Sequence, residues 1–231
     1  MTIGILIRPS IKPSTETKGS IVLAQYIKNN FDTKIVGFCM TSDIYMDMIQ
    51  IEYAGICDII YLLSDDKFAG SDTLKTSFVL SSAIKKYSNV KLLIADNISE
   101  YGETGHVPFE IGTILNIPIL LNVFRVDIIS EESIECYEDL NGIYEVVFAK
   151  FPAIIACKDD LQVKCNHETN LSILDKLSLP EIRKLKAKDI ESDISDFPNY
   201  TKVISHVPMT ERSSHIVMNV EELYDEIEYR K

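Results

Sequence analysis

The sequence predicts an α/β protein with a mostly parallel sheet, helices on both faces, a small antiparallel extension and a C-terminal arm. Three observations predict it. Strand-like and helix-like runs alternate from the first residues, the order that builds a parallel sheet covered by helices. The run Val90 to Ala95 is unbroken and apolar, as a strand buried on both faces requires. From Pro118 onward strand-like runs follow one another without helices, which predicts an antiparallel edge.

The elements follow in order. Ile3 to Ile7 is the first strand, Ser20 to Asn30 a helix, Thr33 to Phe38 a strand and Ile44 to Ala54 a helix. Asp58 to Leu63, rich in Ile, Leu and Tyr, is the third strand. A helix then starts near Asp72, where Ser71 or Asp72 can accept a hydrogen bond from its first turn. Leu74, Phe78, Ile84 and Tyr87 are expected near one face of it. After the buried strand and its loop, another helix starts near Val107. Ile119 to Val126, Ser133 to Tyr137, Ile143 to Ala149 and Pro152 to Cys157 are the later strands, and the Asn141-Gly142 pair marks a tight hairpin between two of them. Beyond about Asp160 the chain is polar until Asn219, where Val220, Leu223, Tyr224 and Ile227 mark a short amphipathic helix. Two parts are expected: residues 1–160 as a nucleotide-binding-type domain and 161–231 as the arm.

Composition narrows the function. With 231 residues, 46% of them hydrophobic, the chain can bury a sizeable core. No apolar run reaches the roughly 18 to 20 residues of a spanning helix, and the start MTIGILIRPS has no basic segment or cleavage site, so a cytoplasmic protein is expected. The net charge of −12 argues against nucleic acid, which needs a basic footprint. Cys39, Cys57, Cys136, Cys157 and Cys165 are odd in number and widely spaced, so they are expected as reduced thiols rather than metal ligands or disulfides.

In open α/β sheets ligands sit outside the carboxyl ends of the strands, where helix N-termini and loop amides converge. The loop Asn97 to Val107, NISEYGETGHV, lies at such a place. Its glycines let the backbone approach a phosphate and the following helix favours an anion, although Gly-Glu-Thr-Gly is also an ordinary strand-to-helix turn. His106 has no serine or cysteine motif beside it, so a cap or surface position is expected rather than catalysis. His167, His206 and His215 are isolated and argue for no metal site. The pairs Asp65-Asp66, Glu131-Glu132, Asp159-Asp160 and Glu221-Glu222 are expected as solvated charge. The tract Arg183 to Lys188 is expected as a surface helix or extended arm that meets an acidic partner.

The order of motifs resembles that of electron transfer flavoprotein beta subunits over nearly the whole chain. Ala69-Gly70-Ser71-Asp72-Thr73-Leu74 is similar to that family's Ala-Gly-Ala-Asp-Thr-Leu. Gly102-Glu103-Thr104-Gly105-His106-Val107 resembles its Gly-Asp-Thr-Gly-Gln-Val loop, and Leu115-Asn116-Ile117-Pro118 its Leu-Gly-Trp-Pro. Phe151-Pro152-Ala153 stands where the family has Leu-Pro-Ala. Ser178 to Lys188 is close to Ser-Leu-Pro-x-Ile-x-Lys-Ala-Lys-x-Lys, and Pro208 to Arg212 with Val217 to Leu223 resemble the terminal pattern.

The resemblance implies an adenine-nucleotide-hydrolase-like fold and a heterodimer with an alpha subunit that shuttles electrons through FAD. The alpha subunit holds most of the FAD, and the beta subunit holds AMP or a second FAD. It implies no catalytic residue, but an electron carrier subunit serving a flavin dehydrogenase, expected to be of the acyl-CoA type. Position by position it gives Ile7, Arg8, Met40, Asn97 and Gly102, Glu103, Thr104, Gly105, His106 and Val107 as nucleotide contacts, and Leu179 with Pro180 as the docking loop. Departures accompany it: Arg8-Pro9-Ser10-Ile11-Lys12 leads into a shortened connection, Met40-Thr41-Ser42 replaces Cys-Gly-Pro, Tyr101 replaces an aspartate and His106 a glutamine, and Asn166 to Lys176 replaces Asn-x-Pro-Arg-Tyr. Two other readings stay open. One is a diverged homologue that has lost nucleotide binding and acts as a scaffold. The other is a nucleotide-binding protein related by fold alone.

Overall fold

The computed structural model describes residues 1–8, 18–97, 105–164 and 178–190. Among them nine strands form one sheet: β1 (Thr2–Ile7), β2 (Lys34–Met40), β3 (Ile59–Leu63), β4 (Leu92–Asp96), β5 (Ile119–Ile129), β6 (Ser133–Asp139), β7 (Tyr144–Lys150), β8 (Ala153–Val163) and β9 (Glu181–Leu185). Four α-helices cover it: α1 (Gly19–Asn30), α2 (Met46–Glu52), α3 (Thr73–Tyr87) and α4 (His106–Leu115). The strand order is β7-β6-β5-β8-β4-β1-β2-β3-β9. The neighbours from β5 through β8, β4, β1, β2 and β3 to β9 are parallel, whereas β6 is antiparallel to both β5 and β7. The expected α/β class and antiparallel extension are present.

Alternation along the strands sorts the core into two layers. Ile3, Ile5, Ile35, Cys39, Ile60, Leu62, Leu92 and Ile94 pack with Leu23 and Ile27 of α1 and Ile49 of α2. Val36, Phe38, Tyr61, Leu63, Leu93 and Ile154 pack with Val79, Leu80 and Ile84 of α3 and Ile111 of α4. Both faces of each central strand are therefore apolar, which is why those strands read as continuous hydrophobic runs.

Local chemistry sets the boundaries. Asp72 caps α3, its carboxylate accepting from the Lys75 N–H at 2.9 Å. The buried face of α3 is not centred on Leu74 and Phe78, which are half-buried, but on Ser77, Val79, Leu80, Ser81, Ala83 and Ile84. Small side chains at Ser77 and Ser81 let the helix lie close to its neighbours, and Ser77 Oγ donates to the Thr73 carbonyl at 2.8 Å. The hairpin joining β6 to β7 turns at Asn141 and Gly142, both with positive φ (58° and 91°), as a two-residue hairpin loop demands.

Two assignments change. Pro152 to Cys157 does not continue the meander: β8 returns to the sheet interior, parallel to β4 and β5. Ala153, Ile154, Ile155, Ala156 and Cys157 are all buried, so the segment fits only where both faces are covered. Glu181–Leu185 is neither a helix nor a free arm but β9, paired in register with β3 from Ile59↔Glu181 to Leu63↔Leu185. The expected terminal helix near Val220 lies outside the described residues.

Candidate functional site

The strand order reverses at β1: the first crossover, through α1, leads to β2 on one side, and the crossover through α3 leads to β4 on the other. Outside the carboxyl ends of β1 and β4 a doubly wound sheet opens a crevice, and ligands are found there. Register puts Ile7 beside Cys39, Ile5 beside Ile94 and Asp96 beside Cys157, so the ends of β1, β2, β4 and β8 lie side by side at this edge.

The residues predicted from sequence divide here. Ile7 is buried and packs in the α1–α2 layer, whereas Met40, at the end of β2, packs in the α3–α4 layer. Arg8 is exposed at the mouth. Asn97 follows β4 and commits its side chain to β5: Nδ2 donates to Asn122 Oδ1 at 2.6 Å, and Oδ1 accepts from the Asn122 N–H at 3.3 Å. Gly105 begins α4 with φ 59°, and a Cβ there would lie 2.8 Å from the Asn97 carbonyl oxygen, so close approach as well as backbone angle requires glycine. His106 is exposed and Val107 half-buried at the start of α4. Gly102, Glu103 and Thr104 lie outside the described residues.

The structure adds residues that the sequence reading passed over. Asp96 ends β4, and its Oδ1 accepts the Ser20 N–H in the first turn of α1 at 3.1 Å. Burial pushes the Asp96 carboxyl above its ordinary value, with hydrogen bonding from Ser20 opposing the rise. Lys18, just ahead of α1, donates to Glu52 at 2.9 Å and to the Arg8 carbonyl at 3.2 Å. That pair is mostly shielded from solvent and ties the mouth of α1 to the end of α2. Gly19 is packed so tightly that a Cβ would fall 2.0 Å from the Lys158 carbonyl oxygen of β8. A charged residue directly after a buried strand and a glycine at a helix start were the available signals. Their partners, 76 and about 140 residues away along the chain, were not legible.

Whether these residues suit a nucleotide can be judged from the donors. A phosphate at this crevice takes the N–H groups opening the helix after β1. Here the Ser20 N–H is taken by Asp96 and the Ile21 N–H by the Lys18 carbonyl. Neither of these two α1 amides is offered to a phosphate.

A second feature lies at the opposite end of the sheet, ahead of β9. The Ser178 carbonyl accepts the Gly55 N–H at 3.0 Å, the Pro180 carbonyl accepts Gln50 Nε2 at 2.8 Å, and the Glu181 N–H donates to the Asp58 carbonyl at 3.0 Å. Between these anchors Leu179 is 58% exposed. The basic tract beyond it is partly neutralised within the chain, Arg183 by Glu181 and Lys184 by Asp43, each at 2.7 Å.

The model of the electron transfer flavoprotein domain matches residues 14–191, well over half of the chain. The chain belongs to the electron transfer flavoprotein family. Its similar curated proteins include the caffeyl-CoA reductase-Etf complex subunit CarD of Acetobacterium woodii, 30% identical over 162 residues, covering 68% of this chain and 61% of that protein. The electron transfer flavoprotein subunit beta of Thermoanaerobacterium thermosaccharolyticum is 30% identical over 163 residues, 69% of this chain and 62% of that protein. That of Megasphaera elsdenii is 29% identical over 202 residues, 83% and 73%. The match thus spans under two thirds of the length of the first two relatives. Within the electron transfer flavoprotein match fall α1 to α4, Asp96, Gly105 and the anchored Leu179 loop. No helix among the described residues is long and apolar enough to cross a membrane.

Proposed function

We propose that the chain is the beta-type subunit of a heterodimeric electron transfer flavoprotein, passing electrons in the cytoplasm between a dehydrogenase and an acceptor through FAD. One observation carries the reading: an exposed leucine is mounted on a loop whose backbone is pinned on both sides. A free surface leucine is unremarkable. One held by Gly55, Gln50 and Asp58 has already lost the freedom that docking would otherwise take away, and such preorganised apolar anchors dominate interface energies. Leu179 would enter an apolar pocket of the dehydrogenase, with the buried Pro180 next in the chain setting the angle. An acyl-CoA type of dehydrogenase is the expected partner.

The redox flavin, held in the main by the alpha subunit, supplies the electron chemistry, and this chain supplies binding and orientation. No acid, base or nucleophile of its own is required. The alpha subunit's surface is sought on the antiparallel extension. There Tyr144, Val146 and Phe148 alternate along β7, the outermost strand, at 66%, 60% and 59% exposure. Phe124 backs them, its ring centroid 5.0 Å from that of Tyr144. Apolar side chains presented this way favour a permanent partner over solvent. A second nucleotide at Ile7, Arg8, Met40, Asn97 and Gly102 to Val107, AMP or FAD, is a separate claim, and the two bonded α1 amides add no support to it.

The test is co-expression of the full chain with its cognate alpha subunit, followed by purification and reduction with the dehydrogenase. A stable complex whose bound FAD is reduced by the dehydrogenase, and loses that reduction when Leu179 is replaced by aspartate, supports the reading. Failure of the two chains to associate would sink it.

A further inference from the structure

We infer that the dehydrogenase is held by two apolar side chains rather than one: Ile51, near the end of α2, is a second anchor beside Leu179 and forms a single docking patch with it. The inference rests on the reading of Leu179 as the partner anchor and adds to it a residue from another part of the chain.

Two hydrogen bonds set the two side chains on one stretch of surface. Gln50 Nε2 donates to the Pro180 carbonyl at 2.8 Å, and the Gly55 N–H donates to the Ser178 carbonyl at 3.0 Å. In one segment the bonded residues, Ser178 and Pro180, flank Leu179. In the other, Gln50 and Gly55 enclose Ile51. The first bond spans 130 residues of chain, so two distant segments are strapped together on either side of the pair. Both side chains are left to solvent, Ile51 at 71% and Leu179 at 58% exposure.

A single exposed isoleucine is ordinary on a protein surface. Ile51 differs in where it stands. The inner side of its helix is already supplied, with Ile49 buried and Met46 packed on the core. A solvated position on a helix of seven residues also gains nothing from a β-branched side chain, which is a weaker helix former than alanine, lysine or glutamate. The backbone beneath it is fixed as well: the Ile51 carbonyl accepts the Ala54 N–H at 3.2 Å, and Tyr53 is wholly buried. Ile51 thus shares with Leu179 the preorganisation that lowers the cost of docking.

The charges beside the pair say what it can hold. Glu52, next to Ile51, is paired with Lys18 at 2.9 Å, and Glu181, next to Pro180, with Arg183 at 2.7 Å. A partner therefore meets an apolar centre edged by charge already neutralised within the chain, the arrangement of an interface core and its rim. An anionic polymer finds little to bind here. The dehydrogenase that takes Leu179 into an apolar pocket meets Ile51 at the border of that pocket.

The test uses the purified complex of the full chain with its cognate alpha subunit, and the dehydrogenase that reduces it. Ile51→Ala, Leu179→Ala and Ile44→Ala are compared with the parent. Ile44 is the control: at 79% it is still more exposed, yet it lies ahead of α2, at the other end of that helix and outside the two bonds. Rates over a range of flavoprotein concentration give KM and kcat, dithionite reduction reports on the flavin itself, and circular dichroism on the fold. Ile51→Ala is expected to raise KM about 5-fold, as an interface truncation of about 1 kcal/mol does. Its kcat, dithionite reduction and circular dichroism should match the parent, and Ile44→Ala should match it throughout. An unchanged KM for Ile51→Ala, an equal rise for Ile44→Ala, or a rise accompanied by altered circular dichroism would overturn the inference. If Leu179→Ala raises KM in those cases, the docking loop still stands. If Leu179→Ala is silent too, the docking reading falls and the inference falls with it.

Discussion

Replacing Gly19 by alanine should destabilise the fold although it adds one methyl group. The new Cβ would lie 2.0 Å from the Lys158 carbonyl oxygen and 3.1 Å from Cys157 Cβ, so something must retreat by about 1.4 Å to reach ordinary contact. The atom in the way is main chain, one residue beyond Cys157, which is paired to both β4 and β5, and it cannot turn aside as a side chain would. Overpacking of this kind costs about 1–3 kcal/mol. If α1 moves instead, the Ser20 N–H leaves Asp96, and an unpaired buried donor costs about the same again. Alanine's better helix propensity returns at most about 1 kcal/mol. The net loss should be about 2–3 kcal/mol, or a fall in Tm of roughly 4–12 °C for a chain of this size. Urea melts followed by circular dichroism would give the first quantity and a thermal scan the second. An unchanged or raised Tm would show that α1 does not press on β8.

Three further outcomes are expected. Leu179→Ala should leave the melt unchanged, since the side chain is mostly exposed, yet lower the rate of flavin reduction by the dehydrogenase about 5- to 30-fold at limiting concentration, as an interface truncation costing about 1–2 kcal/mol would. Val146→Asp and Phe148→Asp should abolish co-purification with the alpha subunit without altering the chain's own circular dichroism, which separates a lost interface from a lost fold. Asp96 sets a pH dependence: its carboxyl is raised above 3.8 by burial, so the native state keeps a proton that the unfolded chain has released. Its contribution to stability is complete below 3.8 and declines as pH rises through the folded value. The stability of Asp96→Asn relative to the parent should therefore move in the variant's favour as pH is raised from about 4, as measured by urea melts at a series of pH values. A difference that stays flat, or moves the other way, would show that Asp96 is not buried against Ser20.

Much of the sheet is legible in the sequence because a strand covered on both faces must be apolar throughout, and Ile59–Leu63 and Val90 to Ala95 leave no other place to put such residues. The hairpin at Asn141-Gly142 is legible because two consecutive positive φ angles restrict the residues that can occupy them. Pairing is different. Nothing local in Ala153 to Val163 says that it lies between β4 and β5, and nothing in Glu181–Leu185 says that β3 is its neighbour, because those preferences live in residues more than 30 positions away. The same limit hid the crevice. The glycines of the 102–105 loop announce a phosphate turn, while the group that answers α1 is Asp96, one residue beyond a strand that was itself recognised. Leu179 is visible in the sequence because a leucine before a proline stands out in a polar stretch, whereas its anchors at Gln50, Gly55 and Asp58 come from another region altogether.

The place of β8 also governs the order in which the molecule can be assembled. β4 and β5 are not neighbours: each forms its hydrogen bonds to β8, which is made after both of them and after the β6–β7 hairpin. A chain emerging from the ribosome therefore carries two partial sheets, β1 to β4 and the β5–β7 meander, with no ladder between them until residues 153–163 arrive and are inserted. Shortening the chain to end at Lys150 would leave those halves with an apolar seam on each side, whereas trimming it after Val163 would leave them joined and, among the described residues, remove the edge strand β9 with the buried Leu185, Ala187 and Ile190.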